Sequence, residues 1–254
     1  NISLTAGATY DSMTDVPTLT SATASNFATL NAVANPSNLL NANLTTNGGD
    51  KFSISTIGMT SGKWYAEMTV TTVGAESSVG ISSQPFTSSS PNPFVGATTT
   101  SWGYYSNNGN KYTNNAGTAY GSSYTAGDVI GIAFDADSGN LTFYKNNVSQ
   151  GVAYTGLTSG PYFFAIEGRT TTSANNCSIN FGQQPFVYTP PTGYVALNTF
   201  NLPTPTIGAS STTQANKYMN AVLQVGSTVN TGANLFAQSG YTYGLAWGKD
   251  LSLI

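Results

Sequence analysis

Short hydrophobic segments separated by Gly, Ser and Asn characterise the middle of the chain. From about residue 51, segments rich in β-branched and aromatic residues recur, among them residues 52–57, 64–70 and 79–81. Several short strands at this spacing are typical of an all-β sandwich or barrel. Sustained 3.6-residue periodicity is missing from the sequence, so the pattern predicts very little helix.

The strongest local signal is a pair of consecutive hairpins in residues 128–153. Residues 129–134 are apolar on both faces, which is typical of a strand in the middle of a covered sheet. Residues 135–140 supply turn formers, residues 141–145 return as an alternating strand, and a second turn follows at residues 146–147. The sequence therefore predicts a three-stranded antiparallel meander here.

Both ends of the chain differ from this middle part. Residues 1–49 are rich in Thr, Ala, Ser and Asn and are interrupted by prolines, so they predict an extended N-terminal arm. Residues 201–254 predict a linker and a C-terminal β extension that is too short to own a core. We expect it to pack on the main domain or on a neighbouring chain, or to be part of a truncated module. The predicted organisation is an arm, a sandwich over residues 50–200 and an extension, with both ends ordered mainly by neighbouring subunits.

Charged side chains are rare in this sequence. The 254 residues include 7 Lys and Arg and 10 Asp and Glu, which makes 7% charged residues against roughly 25% in an ordinary soluble domain. An aromatic content of 12% and a low net charge argue against intrinsic disorder. Because the basic residues are scattered and no apolar run approaches the ~18 to 20 residues that span a bilayer, we expect neither nucleic acid binding nor membrane insertion.

Catalytic chemistry is restricted because the chain has no His and a single cysteine, Cys177. Ser-His-Asp triads and His-based zinc sites are excluded, whereas Ser-Lys, paired-carboxylate and oxygen-ligand metal chemistry remain open. Cys177 lies in an alternating, strand-like segment and is interpreted as a small buried side chain. Since Asp128, Asp135 and Asp137 are explained by strand ends and turns, we expect neither enzymatic activity nor a cofactor.

One stretch has the spacing that opens an oxygen-rich calcium loop, with Asp135, Asp137 and Gly139 at alternate positions. The carboxylate that should close such a loop is missing, since Tyr144 and Lys145 occupy that region. We interpret the stretch as a plain hairpin turn, because Asp and Asn side chains cap turn amides without a metal. No metal site is expected.

Aromatic and amide side chains are concentrated in residues 102–115, in turn-rich sequence. This mixture suits neutral sugars, which stack on rings and bond to Asn, and it also suits protein interfaces. The alternative is that Trp102 and Tyr104 belong to the core and that the Asn residues form solvated turns. The loop of residues 82–100 adds two aromatic residues that either bind a ligand or pack over an open sheet end. The candidate ligand-binding residues are Trp102, Tyr105, Asn107, Asn108, Asn110, Tyr112, Phe86 and Phe94.

A series of short motifs carries a family resemblance. Its members are SGKWYAE at residues 61–67, VGI at 79–81, WGY at 102–104, GDVIGIAFD at 127–135 and GNLTFYKNN at 139–147. Over about residues 50–184 this series resembles a SPRY (B30.2-type) domain. The resemblance implies a concanavalin-like, antiparallel two-sheet β-sandwich, which is a binding scaffold rather than an enzyme fold.

The segment that follows resembles the continuation found in SPRY-like proteins of tailed bacteriophages, over residues 180–191 and 196–203. This resemblance implies a non-enzymatic structural or adhesion protein on the surface of a virion, such as a tail fibre, capsid fibre or decoration component. We then expect a homo-oligomer that contacts other virion subunits and recognises a host surface glycan. The alternative is a secreted or cell-surface carbohydrate-binding module, and a glycan hydrolase is a distant third.

Overall fold

Two β-sheets make up the part of the chain that the structure describes. The computed structural model describes residues 21–33, 39–46, 52–71, 77–84, 94–168 and 177–203. These residues contain no helix, as the hydrophobic pattern predicted, and hence none that is long and apolar enough to cross a membrane. In chain order the strands are β1 (Leu39–Leu40), β2 (Thr45–Thr46), β3 (Ser53–Ile54), β4 (Lys63–Val70), β5 (Ser77–Ser82), β6 (Ser101–Tyr105), β7 (Lys111–Thr113), β8 (Ala116–Thr118), β9 (Val129–Asp135), β10 (Asn140–Lys145), β11 (Val148–Tyr154), β12 (Phe163–Gly168), β13 (Cys177–Asn180) and β14 (Val195–Ala196).

The strands divide into a larger and a smaller sheet. The larger sheet has the order β1-β2-β13-β4-β9-β10-β11, and β14 pairs with β4 beside this path. The smaller sheet has the order β3-β12-β5-β6-β7-β8. Neighbouring strands are antiparallel, except that β14 runs parallel to β4.

One hydrophobic core lies between the two sheets. Trp64 and Phe143 enter it from the larger sheet, and Tyr104 and Phe164 enter it from the smaller sheet. All four side chains are almost completely removed from solvent. The predicted all-β, antiparallel two-sheet sandwich is therefore confirmed.

The predicted meander forms the centre and one edge of the larger sheet. Strands β9, β10 and β11 follow one another as antiparallel neighbours, and every residue of β9 is buried. Asn146 and Asn147 both have positive φ, at 48° and 69°, in the two-residue turn between β10 and β11. Asn tolerates this left-handed backbone, and a turn of this type matches the twist of the flanking strands.

Part of the predicted N-terminal arm packs on the sandwich. Strands β1 and β2 join the larger sheet, while Leu30 and Leu44 lie in the main core. This part of the arm contains short strands and packs on the same chain, whereas the expectation was that neighbouring subunits order the arm. The predicted boundary at residue 50 stays a prediction.

The beginning and the end of the described chain meet at one place on the sandwich. The Ala28 N–H donates to the Leu197 carbonyl at 3.0 Å, and the Thr199 N–H donates to the Asn26 carbonyl at 2.9 Å. The Asn26 N–H in turn donates to Thr199 Oγ1 at 3.1 Å. The predicted C-terminal β extension lies, from residue 204 onward, outside the described residues.

Candidate functional site

The turn that joins β6 to β7, residues 106–110, is the centre of the predicted binding region. Its backbone is closed by two hydrogen bonds, from the Tyr105 N–H to the Asn110 carbonyl at 2.9 Å and from the Gly109 N–H to the Tyr105 carbonyl at 3.1 Å. Asn107 and Asn108 are exposed, and Asn110 is half-buried. The turn therefore presents amide side chains on a fixed backbone.

Asn108 links the turn to the aromatic residues beside it. Its Oδ1 accepts a hydrogen bond from the Asn110 N–H at 2.9 Å, and its Nδ2 donates to the Tyr112 hydroxyl at 2.9 Å. The first contact is the local side-chain bond that turns use. The second orients a half-buried tyrosine, so Asn108 shapes the site in addition to being part of it.

Three of the predicted aromatic residues form one cluster on the outer face of the smaller sheet. The ring centroids of Phe94 and Tyr105, of Phe94 and Tyr112, and of Tyr105 and Tyr112 are 5.3, 5.3 and 5.4 Å apart. Phe94 and Tyr105 are each only 8% exposed. The expectation that Tyr105 remains available to a partner is therefore wrong, because Phe94 covers its ring, and of the two alternatives for Phe94 the structure has the packed one. Tyr112 is the half-buried member of the cluster.

Trp102 does not belong to this cluster. Strand alternation places it on the inner side with Tyr104, where its ring meets Tyr162 edge to face at 5.6 Å. The alternative in which Trp102 and Tyr104 are core residues is thus correct. Phe86, the remaining candidate, lies outside the described residues.

A glycine makes room for the Tyr112 ring. Gly117 lies opposite Tyr112 on the neighbouring strand β8, and a Cβ atom there would come within 2.6 Å of the ring. The ring therefore rests over the β7–β8 hairpin. Without a side chain at position 117, one edge of the tyrosine is supported by backbone while another edge contacts Phe94 and Tyr105.

Phe94 and Val95, in the described part of the loop of residues 82–100, are held by the sheet beneath them. The Val95 N–H donates to Ser78 Oγ at 2.9 Å, and Ser78 Oγ donates to the carboxylate of Glu167 at 2.6 Å. Val95 packs in a second, small core with Phe52, Ile54 and Ala165 on the outer face of the smaller sheet. Phe94 is held in the aromatic cluster through this anchored neighbour.

The calcium-like stretch is a turn in the structure. Asp135 Oδ1 accepts hydrogen bonds from the Asp137 and Ser138 N–H groups at 3.1 and 3.2 Å, and Lys63 Nζ lies 3.3 Å from Asp135 Oδ2. Asp137 Oδ1 accepts from the Gly62 N–H at 2.9 Å. Burial alone would raise the pKa of Asp135, but these hydrogen bonds and Lys63 outweigh it and hold the pKa below its ordinary value.

Cys177 is buried and unpaired, in agreement with its interpretation as a small core residue. Burial raises the pKa of its thiol to about 12, so the thiolate needed for nucleophilic chemistry is suppressed. Within the described ranges no group of three or more His, Cys, Asp or Glu side chains is arranged to hold a metal ion.

Sequence reasoning missed a polar site on the outer face of the larger sheet. Glu67 is 2% exposed, and its carboxylate accepts hydrogen bonds from the Tyr65 hydroxyl at 3.1 Å and from the Val187 and Tyr188 N–H groups at 2.7 and 2.9 Å. Burial and the neighbouring Glu67 raise the pKa of Tyr65 above its ordinary value, so the phenol stays a donor. Alternation along β4 places Glu67 on the same face as Lys63, and that pattern is the signal available in the sequence.

Comparison with known proteins identifies the central part of the chain. Residues 63–184 match the family model described as the SPRY domain. These residues form a SPRY domain. The matched stretch contains the turn of residues 106–110, the aromatic cluster and Glu67, and it confirms the resemblance found in the sequence.

Several relatives share this part of the chain. The chain is 41% identical over 70 residues to the E3 ubiquitin-protein ligase RKP of Arabidopsis thaliana, covering 27% of this chain and 6% of that protein. It is 32% identical over 130 residues to Ran-binding protein 10 of Danio rerio, covering 50% of this chain and 20% of that protein. It is 30% identical over 130 residues to human Ran-binding protein 9, covering 50% and 17%. A solved SPRY domain of human HERC1 covers 56% of this chain and 90% of its own, with 20% identity and a TM-score of 0.49.

These relatives limit what the match establishes. The chain spans at most about a fifth of the length of these curated relatives, so the match does not extend the activities of the whole proteins to this chain. SPRY domains are generally protein-binding scaffolds, in agreement with the expected binding role. The relatives are plant and animal proteins, and they do not show the bacteriophage setting or the glycan ligand that the sequence led us to expect.

Proposed function

We propose that this chain is a non-enzymatic protein-binding module whose SPRY domain contacts its partner through the turn of residues 106–110 and Tyr112. The observation that carries the proposal is the half-buried Tyr112 ring, packed on Phe94 and Tyr105 and oriented by Asn108. A tyrosine that is already ordered loses little conformational freedom on binding, and tyrosines are enriched at the centres of protein interfaces.

The state of the acidic residues supports a non-enzymatic role. Asp128 accepts hydrogen bonds from the Thr125 N–H and from Asn146, and its carboxylate lies 3.3 Å from Lys145 Nζ. Asp135 and Glu67 are bound in the same manner to backbone groups and neighbouring side chains. A general acid or base needs access to a substrate, whereas these carboxylates each fix a turn or a covering segment.

The finer proposal places the module on the surface of a virion, as one subunit of a homo-oligomer in contact with other structural subunits. Its support is the sequence itself: 7% charged residues and the resemblance of residues 180–191 and 196–203 to SPRY-like bacteriophage proteins. Co-purification with a particle in stoichiometric amount is the expected result. Recovery only as a free protein would contradict the virion setting and would leave the binding proposal intact.

Selection of binding peptides tests the role of Tyr112. A displayed library of random 12-residue peptides is panned on the full chain, and the selected peptides are measured again on Tyr112→Ala and on Tyr194→Ala. Tyr194 is also half-buried but lies against Lys63 on the larger sheet, so it is the matched control. We expect Tyr112→Ala to weaken binding by roughly 1 to 3 kcal/mol and Tyr194→Ala to leave it unchanged.

A glycan array with the same variants addresses the alternative of a carbohydrate-binding module. The ring of Tyr112 and the amide of Asn108 also suit a sugar, so this alternative has a specific site in the structure. Glycan binding that is lost in Tyr112→Ala, without any selected peptide, would replace the protein-binding proposal. Unchanged peptide binding by a folded Tyr112→Ala variant would remove the turn from the site.

A further inference from the structure

A cleft with a volume of about 650 Å³ lies on the outer face of the larger sheet. The β1–β2 hairpin, with Asn41 at its turn, forms one wall, and residues 183–187 form the other. Outward side chains of three adjacent strands make the floor, namely Thr45 of β2, Ser178 of β13 and Thr69 of β4. The volume is within the range of about 300 to 1,000 Å³ that is common for ligand clefts.

One wall of the cleft is a bent, irregular segment of this chain, held by side chains through its backbone. Asn180 Nδ2 donates to the carbonyl oxygens of Gln184 and Pro185 at 3.1 and 3.2 Å, and Asn180 Oδ1 accepts from the Gly182 N–H at 2.9 Å. The amide of one asparagine therefore bonds to carbonyl and N–H groups together. These local bonds engage the backbone of the segment and not its side chains.

Glu67 continues the same arrangement further along this wall. Its two carboxylate oxygens accept the N–H groups of Val187 and Tyr188, as described above. Val187 is 62% exposed although its N–H is fixed, so its side chain projects from the wall. This face of the sheet thus already holds a peptide of about five residues in place.

The other half of the cleft has the same side-chain chemistry without a covering peptide in the described part of the chain. Asn41 Nδ2 donates to Thr45 Oγ1 at 3.2 Å, and Thr45 Oγ1 and Ser178 Oγ are 3.0 Å apart. The hydroxyl of Thr69 makes no hydrogen bond with any described residue. Hydroxyl and amide groups both donate and accept, so they match the alternating N–H and carbonyl groups of a peptide backbone.

The charge and shape of the cleft decide the class of ligand. Glu67 is the one ionisable residue among those that line it, and its carboxylate is occupied by three donors. A negatively charged ligand would therefore meet a like charge, and a positively charged one would meet a buried carboxylate that three donors already occupy. The lining residues include no aromatic ring on which a sugar could stack, whereas the exposed Pro185 and Val187 offer apolar contacts for small side chains.

We propose that this cleft binds an extended, uncharged peptide with small side chains, laid beside residues 183–187 and held through its backbone by Asn41, Thr69 and Ser178. The site lies on the larger sheet, while Tyr112 and its turn belong to the smaller sheet. The proposal therefore goes beyond the function proposed above and does not depend on it.

A peptide library of restricted composition tests the proposal on the full chain. The probe is an immobilised set of hexapeptides built from Gly, Ala, Val, Ser, Thr and Asn. Thr69→Arg puts a long, charged side chain into the floor of the cleft, and Thr142→Arg makes the same change on the same sheet face in β10, away from the cleft. We expect Thr69→Arg to lower the affinity for the selected hexapeptides by about tenfold or more, and Thr142→Arg to leave this affinity unchanged.

Two further measurements keep the test decisive. Ser178→Ala removes one hydroxyl and should lower affinity by a factor of about five, so the proposal remains testable if Thr69→Arg fails to fold. When a bound hexapeptide is titrated into the protein, the NMR chemical shifts of the backbone amides should change most near Asn41, Thr45 and Ser178. The same peptides should bind Tyr112→Ala normally, which separates this site from the turn.

Three outcomes would overturn the proposal. One is equal binding of the hexapeptides to wild type, Ser178→Ala and a folded Thr69→Arg variant. A second is that a parallel set containing Asp, Glu, Lys or Arg binds while the uncharged set does not. The third is that a neutral oligosaccharide such as maltohexaose binds and the uncharged hexapeptides do not.

Discussion

The outer face of each sheet is covered by another segment of the chain, and the two faces hold that segment by different contacts. Each face has one buried glutamate in a central strand, Glu67 on the larger sheet and Glu167 on the smaller sheet. Glu67 bonds directly to two backbone N–H groups of the segment that covers it. Glu167 reaches its covering loop through Ser78, whose hydroxyl accepts the Val95 N–H. The first face holds a backbone directly with a carboxylate, whereas on the second face the described end of the loop is held by the Ser78 hydroxyl and by apolar packing around Val95.

This difference shows which contacts each covering segment depends on. The segment over the larger sheet would lose the anchors of Val187 and Tyr188 with a single carboxylate, and it would keep only the Asn180 bonds and the edge-to-face contact of Phe186 with Tyr65. The loop over the smaller sheet would keep the small core of Phe52, Ile54, Val95 and Ala165. A single substitution at a buried polar anchor therefore removes several contacts at once, whereas a single substitution in an apolar core leaves most of its contacts in place.

The largest effect is expected from removing the two carboxylates in turn. Glu67→Ala leaves the Tyr65 hydroxyl and two backbone N–H groups without their acceptor and should lower the free energy of unfolding by roughly 3 to 5 kcal/mol. Glu167→Ala should cost less, roughly 1 to 3 kcal/mol, because the small core around Val95 still holds the described end of the loop. Urea unfolding of both variants measures the difference.

Local opening provides the control for this comparison. In Glu67→Ala, chymotrypsin should cleave at Phe186 or Tyr188 before the sandwich unfolds, since the covering segment is released first. Glu67→Gln keeps one acceptor oxygen and should fall between wild type and Glu67→Ala. Equal destabilisation by Glu67→Ala and Glu167→Ala, with no early cleavage, would show that the two faces are anchored alike.

A smaller effect is expected at the aromatic cluster of the smaller sheet. Gly117→Ala places a methyl group where the Tyr112 ring now lies, and the end of a flexible side chain moves more easily than a strand. We expect a loss of about 1 kcal/mol or less in unfolding free energy, together with weaker binding of the peptides that depend on Tyr112. Ala116→Ser, at the preceding exposed position, should change neither quantity. Normal peptide binding by Gly117→Ala would mean that the orientation of the ring is unimportant.

The smallest effect is expected from mild acid, and it should act through the larger sheet. Burial alone would raise the pKa of Asp128, but hydrogen bonds from the Thr125 N–H and Asn146, together with Lys145, hold the pKa below its ordinary value. The pKa of Asp135 is lowered in the same way. Such groups contribute stability above the pKa of about 4 in the unfolded chain, and this contribution is lost as the pH falls through the lower pKa of the folded state.

Thermal unfolding between pH 6 and pH 2 measures this dependence. The melting temperature should decrease below about pH 4, and Asp128→Asn and Asp135→Asn should each flatten part of that decrease. Asp137→Asn is the matched control, because Asp137 sits in the same turn as Asp135 and forms no ion pair with any described residue. A decrease that is identical in wild type and in both variants would place the acid sensitivity elsewhere in the molecule.

The sequence predicts the local parts of this structure well because their signals are local. Residues 129–134, apolar on both faces, become the fully buried β9, and the Asn pair at residues 146–147 becomes the turn that starts β11. Alternation within residues 101–105 is also sufficient to separate Trp102 and Tyr104 from Tyr105. Strands and turns can be predicted from the sequence where they depend on residues that are close together in the chain.

The candidate sites are harder to predict because the covering segments are distant in sequence. Nothing in residues 101–105 indicates that Phe94 lies against Tyr105, since that contact needs the loop of residues 82–100 to fold back over the sheet. Glu67 is separated from Val187 by 120 residues. Alternation assigns a face to each strand residue, but it does not say what covers that face.

The meeting of residues 26–28 with residues 197–199 has a consequence for how this sandwich can be combined with other proteins. Because the Thr199 N–H and the Asn26 carbonyl are hydrogen-bonded neighbours, everything between them departs from and returns to a single point. A host protein could therefore accept this stretch in an exposed loop without opening the loop by more than the spacing of two adjacent strands. The stretch between residues 26 and 199 can therefore be inserted at a single position of another protein, because both of its ends lie at that position.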